Sequence, residues 1–326
     1  MYNVTHEDLA SLSAIWKDRA AALDWNCPFV VPPWLATWWR LFGTGSDLHI
    51  AVVRDEGHII GVAPLKIDGK TASIIGSKDV CDYLDFIVGP GREDAFSAQL
   101  IDHLATRGIA RLDLGLLRPD SFVLTRFAPF AQARGCQVIT KQEDVTYETE
   151  LPADWEAYLQ LLNTKQRHEV RRKLRRLPEG GQPEFALLRP DTAPPESIDS
   201  FMRLFSLARD EAKAAFMTPA MEAFFRSLAQ ALAAESLLRL GVLRLDGQPV
   251  AMVMCFDYNG IIYLYNSGFD PQHQWLSVGL LSKVLSIKQS IEEGKRRFEF
   301  LKGNEVYKHH LGGKELPLIQ CDINLS

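Results

Sequence analysis

Three stretches of the chain hold residue types suited to group transfer. The first, FEFLKGNEVYKHH (298–310), joins an apolar strand pattern to a Lys-Gly turn and then to Glu305, Tyr307 and Lys308. A carboxylate, a phenol and an ammonium at that spacing can move protons and stabilise developing negative charge. They can equally be a strand with a polar tail, Glu305 pairing with Lys302 or Lys308. The second, YLYNSGFDPQHQWLSVGLLSKVL (263–285), runs from an apolar strand through a polar turn into a helix starting near Ser277-Val278-Gly279. The free N–H groups of such a helix start can hold a pyrophosphate; a capped core helix is the plainer reading. In the third, KQRHEVRRKLRRL (165–177), Lys165, Arg167, Arg171, Arg172, Lys173, Arg175 and Arg176 share one segment with a single nearby acid, Glu169. Like charges at i,i+4 destabilise a helix, and guanidinium forks suit phosphate. The run is either a solvated helix face or a phosphate clamp. It lacks interleaved aromatics, so base reading on a nucleic acid is not expected.

The elements that must position these residues recur along the chain. LHIAVVRDEGHIIGVAPLKI (48–67) aligns without a gap on LRLGVLRLDGQPVAMVMCFD (238–257), matching Leu48, Val52, Arg54 and Gly57 to Leu238, Val242, Arg244 and Gly247. Each is a hairpin signature with glycine supplying a left-handed turn position. Downstream, AQLIDHLATRGIARLDLG (98–115) parallels KVLSIKQSIEEGKRRFEFL (283–301): a helix closed by Gly108 or Gly294, then a strand. A duplicated α+β unit is expected, each copy a mostly antiparallel mixed sheet with a crossover helix. Between the copies, helices are expected at 154–162, at the basic segment 164–177, and at about 196–213 and 219–234. The polar stretch KQEDVTYETELPAD places a boundary near residue 150, giving domains 1–150 and 151–326. Trp34 and Trp38, at i,i+4 on a helix begun by Pro32-Pro33, read as core.

Composition excludes several classes. With 326 residues, 47% hydrophobic and 24% charged, the chain can bury a large core, and a net charge of −5 offers no general attraction to polyanions. Five scattered cysteines without C-x-x-C, and histidines without H-E-x-x-H, argue against structural zinc or a disulfide framework, so no metal is expected. The opening MYNVTHEDLASLSAIW lacks the basic n-region of a secretory signal, and runs such as VAMVMCF (250–256) are too short to span a bilayer. A soluble, cytoplasmic protein is expected. G-x-S-x-G, Walker A and G-x-G-x-x-G motifs are missing.

QWLSVG (Gln274 to Gly279) resembles the Q/R-x-x-G-x-G/A pyrophosphate loop of the GNAT acyltransferases, with serine in place of the first glycine. FEFLKGNEVYKHHLGG, LNTKQRHEVRRKLRRL and PPWLATWWRLFG…LHIAVVRDEGHIIGVAPLKI together resemble a GNAT branch. It comprises the acyltransferases of cellulose or exopolysaccharide biosynthesis (the CelD/BcsL type). These are similar in turn to the Fem-type aminoacyltransferases of peptidoglycan, which carry two GNAT domains in tandem. The resemblance runs over nearly the whole chain and accounts for the repeat. It implies an acyl-coenzyme A donor on Gln274, Ser277, Val278, Gly279 and Leu280. Lys165 and Arg167 match the K-x-R start of the family helix, with Arg171 beside them, and Lys308 falls near the transferred acyl group. Asp82 and Asp85 of CDYLDFIVGP match a D-Y-x-D segment facing the acceptor.

Acyl transfer to an amine needs a base, for which Asp85 is preferred over Glu305, and an oxyanion donor, either a strand-end N–H or Lys308. Tyr263, Tyr265 or Tyr307 can protonate the leaving group, and Tyr307 also stands beside the acceptor. The expectation is therefore an α+β protein of two tandem GNAT-like domains, the first on the acceptor side and the second binding the donor. It would transfer an acyl group, most simply acetyl, from acyl-coenzyme A to an amino sugar or glycan precursor, with a nucleotide-linked sugar explaining the clamp. Transient association with an envelope polysaccharide complex would follow; DNA is not an expected partner. The alternatives are a Fem-like transferase using aminoacyl-tRNA and a non-catalytic nucleotide- or glycan-binding module.

Overall fold

The turns at Glu56-Gly57 and Asp246-Gly247 both take left-handed φ at each residue (49° and 87°; 49° and 77°). Such turns match the twist of flanking strands, and each closes a tight antiparallel hairpin: β2 (Asp47–Asp55) with β3 (His58–Asp68), and β9 (Leu238–Leu245) with β10 (Gln248–Tyr258). The computed structural model describes residues 1–207 and 216–325. It divides into two compact units, Met1–Val145 with the C-terminal residues from Leu316, and Thr146–Glu315. Each unit is a mixed sheet flanked by helices.

In the first unit, β1 (Tyr2–Glu7), β2, β3 and β4 (Thr71–Ile74) pair antiparallel in that order. Helix α1 (Leu9–Lys17) follows β1, and α2 (Pro32–Phe42) buries Trp34 and Trp38 as core, their indole N–H groups donating to Cys81 Sγ and Ser77 Oγ. Helix α3 (Glu93–Thr106) then crosses over to β6 (Arg111–Leu117), which runs parallel to β4. The sixth strand is the end of β13 (Lys314–Asn324), antiparallel to β6. A short β5 (Ile87–Val88) joins β3.

The second unit repeats this order. β8 (Pro183–Leu188), β9, β10 and β11 (Ile261–Phe269) are antiparallel neighbours. A crossover helix, Val278–Glu292, leads to β12 (Arg297–Lys302), parallel to β11, and residues 146–150 of β7 (Gln137–Glu150) complete the six. The strand that closes each unit thus comes from outside that unit's hairpin–helix–strand run.

Between the repeats lie α4 (Ala128–Ala133), α5 (Trp155–Leu161), α6 (Thr164–Arg176), α7 (Ser197–Leu207) and α8 (Pro219–Ala234). The expected helix at 196–213 is seen as α7; its residues 208–213 lie outside the described residues. The crossover helix of the second unit, α9, buries Leu281, Val284, Ile287 and Ile291 fully or nearly so. Ser286 and Ser290, also buried on α9, satisfy their hydroxyls on the carbonyls one turn back, at 2.8 and 2.7 Å. Small residues there let the helix approach Gly241 of β9, where an added side chain would meet Ser286 Oγ at 3.0 Å. Among the described residues no helix is long and apolar enough to cross a membrane.

Candidate active site in the second unit

Helix α6 starts as its sequence dictates: Asn163 accepts the N–H of Gln166 at 2.9 Å, a side-chain N-cap. Val170 is its buried anchor. The basic residues then sort by face. Arg167 bonds Gln160, and Arg171 pairs with Glu156 at 2.6 Å, so both turn toward α5. Lys165, His168, Arg172 and Lys173 instead line a cavity of about 850 Å³. Leu280 of α9 and His310 are among the other residues of that lining. Its volume falls in the range of sites that enclose a cofactor-sized ligand, about 300–1,000 Å³. Glu169 is the lining acid; hydrogen bonding from Arg172, then the charges of Arg172 and Lys173, hold its carboxyl down at about 2. The basic side chains outnumber it.

At the start of α9, Ser277 stands in the left-handed region (φ 59°, ψ 34°). This is where the GNAT loop pattern has its first glycine, and the backbone explains why: a residue with a Cβ occupies that region at a cost of about 1–2 kcal/mol. The hydroxyl is held by Lys173, whose Nζ donates to Ser277 Oγ at 2.8 Å. Helix geometry leaves the N–H groups of Val278 and Gly279 without an intrahelical acceptor. The first turn carries no acid. Leu280 N–H is already satisfied by Ser277 O at 2.9 Å, and Gln274 contributes its carbonyl to Ser277 N–H at 2.8 Å, its side chain being exposed. Gly279 answers to packing: an added side chain would meet the Phe269 ring at 2.8 Å.

After β12 the segment Val306–His310 forms a short helix, α10. Lys308 is 1% exposed, and its ammonium donates to Leu301 O, Lys302 O and Gly303 O at 2.9, 2.5 and 3.0 Å. Glu305 pairs with it at 2.9 Å and stays more than half exposed. An ammonium has three donors, so these carbonyls occupy the oxyanion-donor capacity expected of Lys308. What the geometry gives it is a clasp on the end of β12, where Leu301 takes a left-handed φ of 63°. Tyr307 packs its ring under Lys283 Nζ, 5.0 Å away, and Lys283 donates to Gly279 O at 2.8 Å. Burial pushes the Tyr307 phenol well above its ordinary pKa, so it stays protonated. Tyr265 lies against Phe256 and Phe225, with ring centroids at 4.8 and 5.5 Å, and Tyr263 is buried.

Asp82 and Asp85 lie in the first unit. Asp85 Oδ1 accepts from Phe86 and Val123 N–H, and Oδ2 from Phe122 N–H, at 2.9, 3.1 and 2.8 Å. Burial pushes its carboxyl up to about 7, against the pull of those three amides. Three of four lone-pair positions are filled, so one is left for a proton. The structure thus groups Lys165 and Leu280 at the cavity, links Ser277 to α6, and sets Tyr307 and Lys308 on α10 with Glu305 just before it. It turns Arg167 and Arg171 away from the cavity. Lys173 was legible only as one of seven like charges, and no spacing in the sequence singled it out. Among the described residues no group of three or more His, Cys, Asp or Glu could hold a metal ion.

Residues 164–309 match the family described as Acetyltransferase (GNAT) domain. Comparison with curated protein sequences gives no match. Among solved structures, FemX is similar at a TM-score of 0.67 and 14% identity, covering 98% of this chain and 96% of that one. A tandem GNAT protein from the clavulanic acid biosynthesis pathway is similar at 0.50 and 14%, covering 98% of both chains. L-PGS from Bacillus licheniformis is similar at 0.54 and 10%, covering 90% of both. At these identities the likeness is one of fold. Residues 164–309 therefore match a GNAT-type acetyltransferase domain, and the chain's fold is similar to those of FemX and of a tandem GNAT protein.

Proposed function

We propose that the chain is an acyl-coenzyme A-dependent N-acyltransferase acting on an amino sugar or glycan precursor. The observation that carries the donor assignment is the Lys173–Ser277 contact, which sets a cation at an acid-free helix start beside a basic, cofactor-sized cavity. Phosphate oxygens there would receive N–H groups from Val278 and Gly279 and charge from Lys173 and Arg172. In the reaction an amide bond forms as the thioester C–S bond breaks, and the proton lost by the amine ends on the thiol. Tyr307, a phenol that burial keeps protonated, is assigned as hydrogen-bond donor to the departing sulfur, which takes up the amine's proton by way of Glu305 and solvent. Glu305, a carboxylate of the same unit that stays more than half exposed, is assigned as acceptor of the amine proton. Lys165 would meet an anionic part of the acceptor, as a nucleotide-linked sugar would supply.

Calorimetric titration with acetyl-coenzyme A and longer acyl thioesters tests the donor, and amide formation on a panel of free and nucleotide-linked amino sugars tests the acceptor. Saturable thioester binding with turnover of an amino sugar is the expected result. No binding of any thioester would overturn the reading and turn the search to aminoacyl-tRNA.

A further inference from the structure

Trp275 is placed unlike the buried Trp34 and Trp38: it is 53% exposed, in the 3₁₀ turn Pro271–Leu276 that leads into α9. It is not bare. The guanidinium of Arg176 sits 5.9 Å from the indole centroid, within the range of a cation–π contact. Arg176 is tethered in turn by Glu179 at 3.3 Å. One turn earlier on α6, Lys173 holds Ser277 Oγ. The same helix face therefore presents two cations to one short loop, one at the helix start and one against an indole that keeps about half its surface open.

We propose that Trp275 and Arg176 form a stacking platform for the purine base of the nucleotide donor, next to the phosphate site at the start of α9. The inference rests on the donor reading above and adds the subsite that recognises the nucleotide end. A base in coenzyme A is joined to its pyrophosphate through a single ribose. A phosphate on the N–H groups of residues 278 and 279 therefore keeps that base within reach of a side chain three positions upstream. An indole offers a π-face to any purine, and the guanidinium adds a cation–π share. The aliphatic pantetheine arm has no flat face to stack, so the platform orients the donor with its nucleotide end at residue 275 and its thioester end elsewhere.

Two measurements on the full chain test this, comparing wild type with Trp275→Ala and Trp275→Phe. By calorimetry, acetyl-coenzyme A should bind Trp275→Ala about tenfold or more weakly, as loss of a stacking aromatic does, and Trp275→Phe within about threefold of wild type. Etheno-coenzyme A, whose modified adenine fluoresces, should be quenched on binding wild type and not on binding Trp275→Ala. Because Trp275 is exposed, neither variant should move the thermal midpoint. Wild-type affinity in Trp275→Ala, or bound etheno-coenzyme A with unchanged emission, would overturn the platform while leaving the donor reading standing. Failure of wild type to bind any coenzyme A thioester would overturn that reading, and the platform with it.

Discussion

Beyond Ser73 and Asp113 the parallel strands β4 and β6 of the first unit cease to pair, and beyond Tyr263 and Glu299 β11 and β12 of the second do the same. The connections past those points differ between the units. In the first a long segment folds back: Leu84 N–H donates to Leu116 O at 2.8 Å, and Asp85 ties the segment to Phe122 and Val123. Its crossover helix then opens with Glu93 and Asp94, which favour the helix dipole but repel phosphate. In the second unit only residues 270–277 separate strand from helix, the first turn has no acid, and Lys173 reaches Ser277. One strand order carries two electrostatically opposite helix starts, so specialisation resides in the connections rather than in the sheet.

A second difference sits one strand further on. Gly115 of β6 and Leu301 of β12 occupy matched positions, each beside an irregularity in register with the neighbouring strand, and both take left-handed φ, 72° and 63°. Glycine adopts that conformation freely, leucine does not. The second unit holds its leucine there with a buried lysine bridging three carbonyls.

That clasp makes the sharpest way to break the comparison. Lys308→Ala should remove about 3 kcal/mol or more from the second unit, because a buried charge partner is lost and three carbonyls lose a donor. Denaturant unfolding would show it, with turnover falling alongside; an unchanged midpoint would dispose of the clasp. The first unit is probed by pH. Asp85, raised by burial to about 7, confers stability that is full below its unfolded value near 4 and lost as pH rises through 7. His49 is pushed down to about 4 by burial, then Arg107 and the neighbouring imidazoles; its contribution is present above about 6.5 and lost as pH falls through 4. The two slopes oppose each other in the wild type. Asp85→Asn should cost about 1–3 kcal/mol at pH 5, by setting an amide against Phe122 N–H. It should also remove the slope that opposes the histidine's, so that stability falls more steeply on acidification. A variant pH profile parallel to wild type would refute the assignment.

Third, Lys173→Ala should weaken acyl-coenzyme A binding about tenfold, since a charge-assisted hydrogen bond to phosphate is worth about 1.5–3 kcal/mol. The first unit's stability should not move, and calorimetry with thermal unfolding reads both. The smallest effect is expected from Gly115→Ala, which would give the first unit the strain of the second. The expected loss is about 1 kcal/mol, because the added carbon meets nothing nearer than Leu84 Cδ1 at 3.5 Å. A gain in stability would show that the two positions are not equivalent.

Much of this was legible beforehand because it is local. Hairpin turns at Asp-Glu-Gly and Leu-Asp-Gly, the glycine-closed crossover helices and the doubling of the unit all arise from short-range residue order. So did the candidate donor loop, whose serine could be read as a departure but not as a left-handed residue tethered by Lys173. Long-range facts were not legible. Which of seven cations face a cavity depends on the rotation of α6 against α5 and α9, and a run of like charges conceals that choice. Lys308 could be read as a surface lysine or an oxyanion donor; only the folded β12 end brings three carbonyls onto its ammonium. By itself the sequence determined the repeated hairpin–helix–strand unit, since periodicity and turn chemistry act over a few residues. The tertiary structure alone decided that residues from Leu316 close the first unit and residues 146–150 the second. A strand's partner is chosen by whichever sheet edge the folded chain leaves unpaired, and nothing in the strand's own residues records that edge.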